Sequence, residues 1–350
     1  MKLLPILIII SLPTFAQVKD ILPNSDVENK FRAAKIKFHS FEKEHGHFLE
    51  TRNIRMHYLT WGDPKNTPLI WLHGSVSTGY EILPMADKLV QKGYYVIAPD
   101  YYGHGQTSIP NHEVSLYHVA DDISDLMIHL KIDKAIIGGW SRGGFIASAF
   151  YDAYPEKVLA LILEDGGSVA TNTNYHKMDS AQLVQKVKGF ADQIIPDTTY
   201  STELEAYSAF LDKELNENQF ELLTWIRKND VGKWVVGPGL WKLFNMSNTE
   251  QSMENILRPT LSPLFAESMS IIEPKIIYRN LQIPILILDP TSSDDLFPFE
   301  NENAALKSHH PNLITHKILN ETGHNVHYEK PDDWLREVLS FLGRFESFWK

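Results

Sequence analysis

A serine flanked by glycines stands in the sequence GGWSRGG, from Gly138 to Gly144. A serine hydroxyl is a weak nucleophile until a base removes its proton, and it must project clear of the backbone to attack a substrate. Glycines two residues before and after Ser141 permit a sharp strand-to-helix turn, and the pattern is Gly-x-Ser-x-Gly. The amides at the start of such a helix can hold a developing oxyanion. The stretch therefore predicts that Ser141 is a catalytic nucleophile.

A base for this serine is predicted near the carboxyl end of the chain, in the sequence ETGHNVHYEKP. His324 follows the last strand-like run, and a loop at that place can deliver an imidazole over the top of a sheet. His327 is a competitor. We favour His324 because the glycine before it, Gly323, allows close approach.

The acid that orients the base is predicted after a second apolar run, in the sequence PILILDPTSSDDLFP. Asp289 stands too close to the strand to reach across, so we predict Asp294, with its neighbour Asp295 as an alternative. Asp165, which follows an earlier strand, is a further alternative. Serine, aspartate and histidine in this chain order form the triad of one known fold.

The strands and helices that must position these residues alternate along the sequence. Paired strands with a turn near Arg52 and Asn53 are followed by predicted strands and helices in turn. The predicted strands are at 68–74, 94–100, 134–141, 158–167, 283–290 and 315–319, and the predicted helices are at 83–92, 117–132, 145–155 and 332–345. Apolar strands that alternate with helices predict an α/β fold with a mostly parallel central sheet flanked by helices.

The alternation of strands and helices stops between residues 168 and 274, where helix-like stretches occur without a convincing parallel strand. We predict an inserted helical cap at 168–274, with the core formed by 17–167 and 275–350. Residues 17 to about 35 are polar and mixed, and we expect a lead rather than a regular element there. Four aromatic residues of the insertion could line a pocket or form the core of the cap itself: Trp225, Trp234, Trp241 and Phe244.

Residues 1–16 have the pattern of a secretory signal peptide. Lys2 precedes an apolar run that is too short for a membrane span, and Thr14, Phe15 and Ala16 form a small-x-small cleavage pattern. We expect cleavage after Ala16 and export to the periplasm or the medium, with no stable membrane anchor afterwards. An uncleaved anchor is the alternative.

Composition narrows the function classes. The 350 residues include no cysteine, which excludes disulfides, thiolate metal sites and a cysteine nucleophile. The formal net charge is −11 without a basic tract, so we expect no nucleic-acid partner. The histidines are scattered and no glycine-rich phosphate loop carries a lysine, so we expect neither a metal site nor a cofactor. The sequence leaves the oligomeric state open.

Four stretches, in their chain order, resemble the α/β-hydrolase fold family, in its lidded subgroup with an inserted helical cap. LHGSV at 72–76 resembles the His-Gly oxyanion loop, and DYYGHG at 100–105 resembles the Asp-x-x-Gly-x-Gly loop. GGWSRGG at 138–144 resembles the nucleophile elbow, and GHNVHYEKP at 323–331 the histidine loop. The resemblance covers roughly residues 35–348.

The resemblance implies an oxyanion hole made of two backbone amides, those of Ser75 and Arg142, with Val76 as an alternative to Ser75. It also implies structural places for His73 and His104, which would pack and bond the loops.

Arg142 departs from the family pattern, in which methionine, leucine or glutamine is more usual. We expect its guanidinium to pair with a nearby carboxylate, Glu164 or Asp165. Binding of an acidic group on the substrate is the alternative.

The resemblance implies a serine hydrolase that cleaves a small-molecule carboxylic ester through an acyl-enzyme. A proline-type aminopeptidase, a C–C bond hydrolase and a cofactor-free perhydrolase use the same triad, and a non-catalytic small-molecule binder is the alternative from another class. An aminopeptidase needs acidic cap residues to hold the substrate amine, and Glu203, Glu205, Asp212 and Glu214 are available.

Overall fold

The protein was analysed as a computed structural model, which describes four stretches of the chain: residues 25–191, 198–212, 219–292 and 297–348. The signal peptide predicted at 1–16 lies outside these residues, and so do Asp294 and Asp295. In those four stretches, no helix combines the length and the apolar character that a membrane crossing requires.

Strands and helices alternate through the first part of the described chain. Its elements are α1 Ser25–His45, β1 Gly46–Glu50, β2 Arg55–Trp61, β3 Thr67–Leu72, α2 Leu83–Val90, β4 Tyr94–Pro99, α3 Leu116–His129, β5 Ala135–Trp140, α4 Arg142–Ala153 and β6 Val158–Glu164. The strand pair and the alternation after it confirm the sequence predictions.

The rest of the described chain contains mostly short elements and the last two strands of the sheet. They are α5 Ser180–Ala191, α6 Glu203–Phe210, β7 Ile226–Lys228, β8 Trp234–Val236, α7 Leu240–Leu243, α8 Thr249–Leu257, α9 Leu264–Ile271, α10 Pro274–Ile277, β9 Ile285–Thr291, α11 Glu300–His309, β10 Ile314–Asn320, α12 Val326–Glu329 and α13 Pro331–Phe345. Helices α5 and α6 lie in two of the helix-like stretches predicted between 168 and 274. The third predicted stretch, at 218–228, instead contains a short 3₁₀ helix at Phe220–Thr224 and strand β7, which forms an antiparallel pair with β8 that was not predicted.

Helix α1 was not predicted either, because the sequence was interpreted there as a polar lead. Only Val27 and Ala34 of its 21 residues are buried, so its amphipathic pattern is weak. Phe31, Phe38 and Phe41 are partly buried and pack against the core. The helix is thus held by aromatic contacts and by polar contacts such as that of Glu42 with His57.

One eight-stranded sheet, in the order β1-β2-β4-β3-β5-β6-β9-β10, forms the centre of the molecule. The pairs β1–β2 and β2–β4 are antiparallel, and every later pair is parallel. The predicted mostly parallel α/β sheet is therefore confirmed. Parallel strands end at the same edge, so the loops after β3, β5, β6 and β9 meet there.

Helices cover both faces of this sheet. Ile70 and Leu72 of β3 pack in one hydrophobic core with residues of α3 and α4. Leu69 and Trp71 point to the opposite face, in a core that includes residues of α2 and α13. All six residues of β5 are buried, which accounts for the unbroken apolar character of the strand that leads to Ser141.

A buried ion cluster secures the loop between β4 and α3. His57 Nδ1 lies 2.7 Å from Asp100 Oδ2, and His57 Nε2 lies 3.0 Å from Glu42 Oε2. Asp100 also accepts the amides of Gly79 and Gln106. Burial alone would lower the pKa of His57, but the hydrogen bonds and charges of Asp100 and Glu42 outweigh it and raise the pKa to about 9.

This raised pKa predicts a pH-dependent contribution to stability. A histidine whose pKa rises from 6.5 to about 9 on folding stabilises the protein fully below pH 6.5, and the contribution is lost as the pH rises through about 9. Urea unfolding of the wild type and of His57→Gln should therefore differ most below pH 6.5, and the difference should shrink above pH 9. An equal difference at both ends of this range would contradict the charged state of His57.

Candidate active site

Ser141 occupies a strained turn between β5 and α4. Its backbone has φ 53° and ψ −121°, a conformation that residues with a side chain rarely adopt. Its amide donates to the carbonyl of Glu164 at 2.9 Å, which fixes the turn to the end of β6. The turn places the serine at the start of α4, where the helix dipole presents its positive end.

Two glycines allow this turn. A Cβ on Gly143 would lie 1.9 Å from the carbonyl oxygen of Leu72, and a Cβ on Gly139 would lie 2.3 Å from the carbonyl carbon of Gly143. Both distances are far below van der Waals contact. The Gly-x-Ser-x-Gly pattern therefore has a steric cause, and it presses the first turn of α4 against the end of β3.

His324 is held by Asp165. The Nδ1 atom of His324 lies 2.5 Å from Oδ2 of Asp165, and the two side chains are 13% and 3% exposed. Asp165 follows β6 directly, and β6 is the neighbour of β5, so the acid lies next to the strand that carries Ser141. Asp294, the acid predicted from the sequence, and Asp295 lie outside the described residues. Among the described carboxylates, the one bonded to His324 is Asp165, the alternative from the earlier strand.

Hydrogen bonds from residues at the ends of β5 and β6 fix the loop that carries His324 and His327. The indole Nε1 of Trp140, the residue before the serine, donates to the carbonyl oxygen of His324 at 2.6 Å. His327 is 1% exposed, and its Nδ1 lies 2.7 Å from Glu164 Oε1, which belongs to the residue before Asp165. Consecutive residues at the end of β6 thus hold the two histidines of this loop.

Glu164 and Glu81 are buried carboxylates; Glu81 was not singled out from the sequence, and Glu164 was considered there only as a partner of Arg142. Glu164 also accepts from Trp334 Nε1 at 2.7 Å, and Glu81 accepts from the amide of Gly74 at 3.0 Å. Burial raises the pKa of Glu81, in spite of the opposing charge of His327. The sequence around these two glutamates does not reveal their roles, because residues that they contact come from distant parts of the chain.

One cavity of about 230 Å³ contains the candidate residues. Ser141, His324, Ser75 and Arg142 line it from the sheet side. Much of the remaining wall is apolar and comes from the segment between β6 and β9, including Trp241, Phe244, Met246, Ile256 and Met269. Of the four aromatic residues considered from the sequence, Trp241 and Phe244 therefore line the pocket.

His104 contacts one of the two candidate oxyanion donors, the amides of Ser75 and Val76. The amide of Val76 donates to His104 Nε2 at 3.2 Å and is therefore engaged. His104 in turn donates from Nδ1 to the carbonyl of Tyr102 at 2.8 Å. This arrangement requires a neutral ring, and burial lowers the pKa of His104 well below its ordinary value.

His73 supports the same loop. Its Nδ1 donates to the carbonyl of Gly74 at 2.8 Å and its Nε2 accepts from the amide of Tyr101 at 3.4 Å. Burial lowers the pKa of His73 to about 4, so the ring is neutral at ordinary pH. The predicted structural places of His73 and His104 are confirmed.

The prediction that Arg142 pairs with Glu164 or Asp165 is wrong. Those carboxylates bind His327 and His324, whereas Arg142 Nε donates to the hydroxyl of Ser75 at 2.8 Å. The side chain of Arg142 turns toward the oxyanion loop and away from the end of β6.

Comparison with known proteins shows the family. A family model described as the alpha/beta hydrolase fold matches residues 67–331. The chain belongs to the alpha/beta hydrolase fold family. Strands β3 to β6, β9 and β10, the serine turn after β5 and the histidine loop after β10 lie within the matched residues.

The matches to individual relatives cover different lengths of this chain. An uncharacterized protein of Mycobacterium tuberculosis is 39% identical over 87 residues, and the match spans a quarter of each chain. An sn-1-specific diacylglycerol lipase of Danio rerio is 25% identical over 291 residues, 80% of each chain. Among solved structures, a carboxylesterase of Nitrososphaera gargenis has a TM-score of 0.57 at 19% identity, covering 86% of this chain and 99% of the other. This last likeness concerns the fold alone.

The steric role of the elbow predicts unequal effects of two glycine substitutions. Gly143→Ala should destabilise the protein by about 2 kcal/mol or more, because the added methyl group overlaps the carbonyl of Leu72. Gly343→Ala, in the interior of α13, should stabilise it by up to about 1 kcal/mol, since no described atom lies within 4 Å of the added group. Urea unfolding of both variants measures this, and equal effects would refute the steric account.

Proposed function

We propose that the protein is a serine hydrolase that cleaves a carboxylic ester through an acyl-enzyme intermediate. The observation that carries the proposal is the Asp165–His324 hydrogen bond at the cavity that Ser141 also lines. A serine at a glycine elbow, a histidine and a carboxylate bonded to its Nδ1 are the three parts that activate a hydroxyl nucleophile.

The proposed reaction begins when the Oγ of Ser141 attacks the ester carbonyl and His324 Nε2 accepts the hydroxyl proton. Asp165 accepts from Nδ1 and stabilises the imidazolium. His324 then gives the proton to the leaving alcohol, and the carbonyl carbon remains bonded to Ser141. Water attacks this acyl-enzyme with the same histidine as base, which releases the acid and restores the serine.

The backbone amides of Ser75 and Arg142 are the proposed oxyanion donors. Arg142 begins α4, where the amides of the first turn have no partner within the helix. The contact between Arg142 Nε and Ser75 Oγ holds the two loops together, and His104 occupies the amide of Val76. A donor of this kind lowers the activation barrier by about 3 to 4 kcal/mol.

Ester cleavage is favoured over amine-directed peptidase activity by the surroundings of the cavity. Glu203 is bound to Lys35 at 2.6 Å, and Glu205 caps α6 by binding the amide of Thr202. Neither glutamate lines the described wall of the cavity. Glu214 lies outside the described residues. The name of the lipase of Danio rerio also supports an ester substrate.

Replacement of the nucleophile tests the reaction class. Ser141→Ala should abolish both p-nitrophenyl butyrate hydrolysis and labelling by a fluorophosphonate probe, because the attacking oxygen is removed. Ser308→Ala, on the exposed side of α11, is the matched control and should behave like the wild type. A folded wild-type protein that is not labelled and hydrolyses no ester would favour the small-molecule binder. Faster hydrolysis of proline p-nitroanilide than of the ester would favour the aminopeptidase.

The assignment of the acid is tested by two amide substitutions. Asp165→Asn should lower kcat for p-nitrophenyl butyrate by about 10⁴-fold, since an amide in place of the carboxylate stabilises the wrong histidine tautomer. Asp294→Asn should retain kcat within about threefold. The opposite outcome would return the acid to Asp294, and a loss in both variants would show that both carboxylates act on His324.

A further inference from the structure

Arg142 brings a buried positive charge to the wall of a largely apolar cavity. Its side chain is 5% exposed and lines the cavity beside Ser141. Of the described residues that line this cavity, Arg142 alone carries a permanent charge. Charged side chains are almost never buried to this degree without a partner, because removing a cation from water is costly.

The contacts of the guanidinium leave part of its hydrogen-bonding capacity free. Its Nε donates to Ser75, whereas its Nη1 is buried and finds no acceptor among the described residues. Two aromatic rings stabilise the cation: Cζ lies 4.0 Å from the ring centre of Phe244 and 5.5 Å from that of Phe265. A cation–π contact offsets part of the cost of burial but accepts no hydrogen bond.

The guanidinium of Arg142 keeps its positive charge in spite of burial. Burial lowers the pKa of Arg142 to about 10, against a smaller opposing effect of Tyr101, so the side chain remains protonated at neutral pH. No described Asp or Glu forms an ion pair with it. A charge that the fold neither neutralises nor exposes to bulk water is poised for an anion that arrives with a ligand.

We propose that Arg142 binds a carboxylate of the substrate, so that the natural substrate is an ester that also carries a free carboxylate group. This inference rests on the proposed ester hydrolysis and names its substrate class. The planar guanidinium offers N–H groups in a fork that matches the two oxygens of a carboxylate. The buried, unpartnered Nη1 is the second observation, besides the isolated charge, that points to such a ligand.

The position of Arg142 limits where the carboxylate sits. The residue follows the nucleophile directly, and its own amide is a proposed oxyanion donor. The guanidinium therefore lies one arginine side chain away from the reacting carbonyl. A short linker between the ester carbonyl and the carboxylate matches this distance. Monoesters of short dicarboxylic acids fit this description.

The test compares two esters that differ in charge and have nearly the same shape. Ethyl hydrogen succinate carries the carboxylate, and ethyl levulinate has a methyl ketone in its place. The wild type should show a kcat/KM for the succinate ester about 10- to 100-fold above that for the levulinate ester, measured by ethanol release. Arg142→Met should lower this ratio to about one, and Arg142→Lys should restore part of it.

The matched control is Arg227→Met. Arg227 is another largely buried arginine, which donates to the carbonyl of Gly105 outside the cavity of Ser141. Its replacement should keep the ratio of the two kcat/KM values within about threefold of the wild type. The ratio, rather than either rate, is the readout, because any shared loss through the elbow cancels.

Binding separates failure of this inference from failure of the proposed reaction. Calorimetry with Ser141→Ala should show tighter binding of ethyl hydrogen succinate than of ethyl levulinate, and the additional change Arg142→Met should remove the difference. Ester turnover with no preference for the anionic substrate would overturn the inference and leave the hydrolase proposal standing. Absence of all turnover, with the charge-dependent binding intact, would overturn the reaction and keep the carboxylate site.

Discussion

The strained backbone at Ser141 is the constraint on which the rest of the site depends. A residue with a side chain at φ 53° needs a fixed environment on every side. The environment here consists of β3 below the elbow, the end of β6 beside it and two glycines that let these strands approach. Once the turn is held, the hydroxyl projects into the cavity, and the first amide of α4 is presented next to it. The parallel strands of the central sheet therefore stabilise the unfavourable backbone conformation of Ser141.

The end of β6 links the serine to the histidine loop. Glu164 receives the amide of Ser141 on its carbonyl and binds His327 with its side chain, and the next residue, Asp165, binds His324. Glu164 ends β6, and Asp165 follows it with a positive φ of 44°, so the two carboxylates contact different histidines of the same loop. A shift in this short segment would move the nucleophile and the base together.

Histidines serve three different purposes in this protein, and their surroundings decide which. His57 lies between two carboxylates, which raise its pKa to about 9. Below that pH the protonated ring stabilises the fold. His73 and His104 lack such partners, so burial keeps them neutral, and their ring nitrogens can accept amides of the loops. His324 has one carboxylate and one side open to the cavity, which suits proton transfer. A histidine by itself predicts none of these roles.

The sequence by itself determined the sheet, the serine and the preference for His324, because these follow from local patterns: apolar strands, glycines around a turn and a glycine before an imidazole. The identity of the carboxylate at His324 needed the tertiary structure. Asp165 and the predicted Asp294 both follow apolar strands, and the sheet order places β6, the strand before Asp165, directly beside β5, which leads to Ser141. The partner of Arg142 also escaped prediction, since Ser75, Phe244 and Phe265 come from distant segments. Contacts across the sheet and over the cavity depend on how strands and loops assemble, and no short stretch of sequence encodes that assembly.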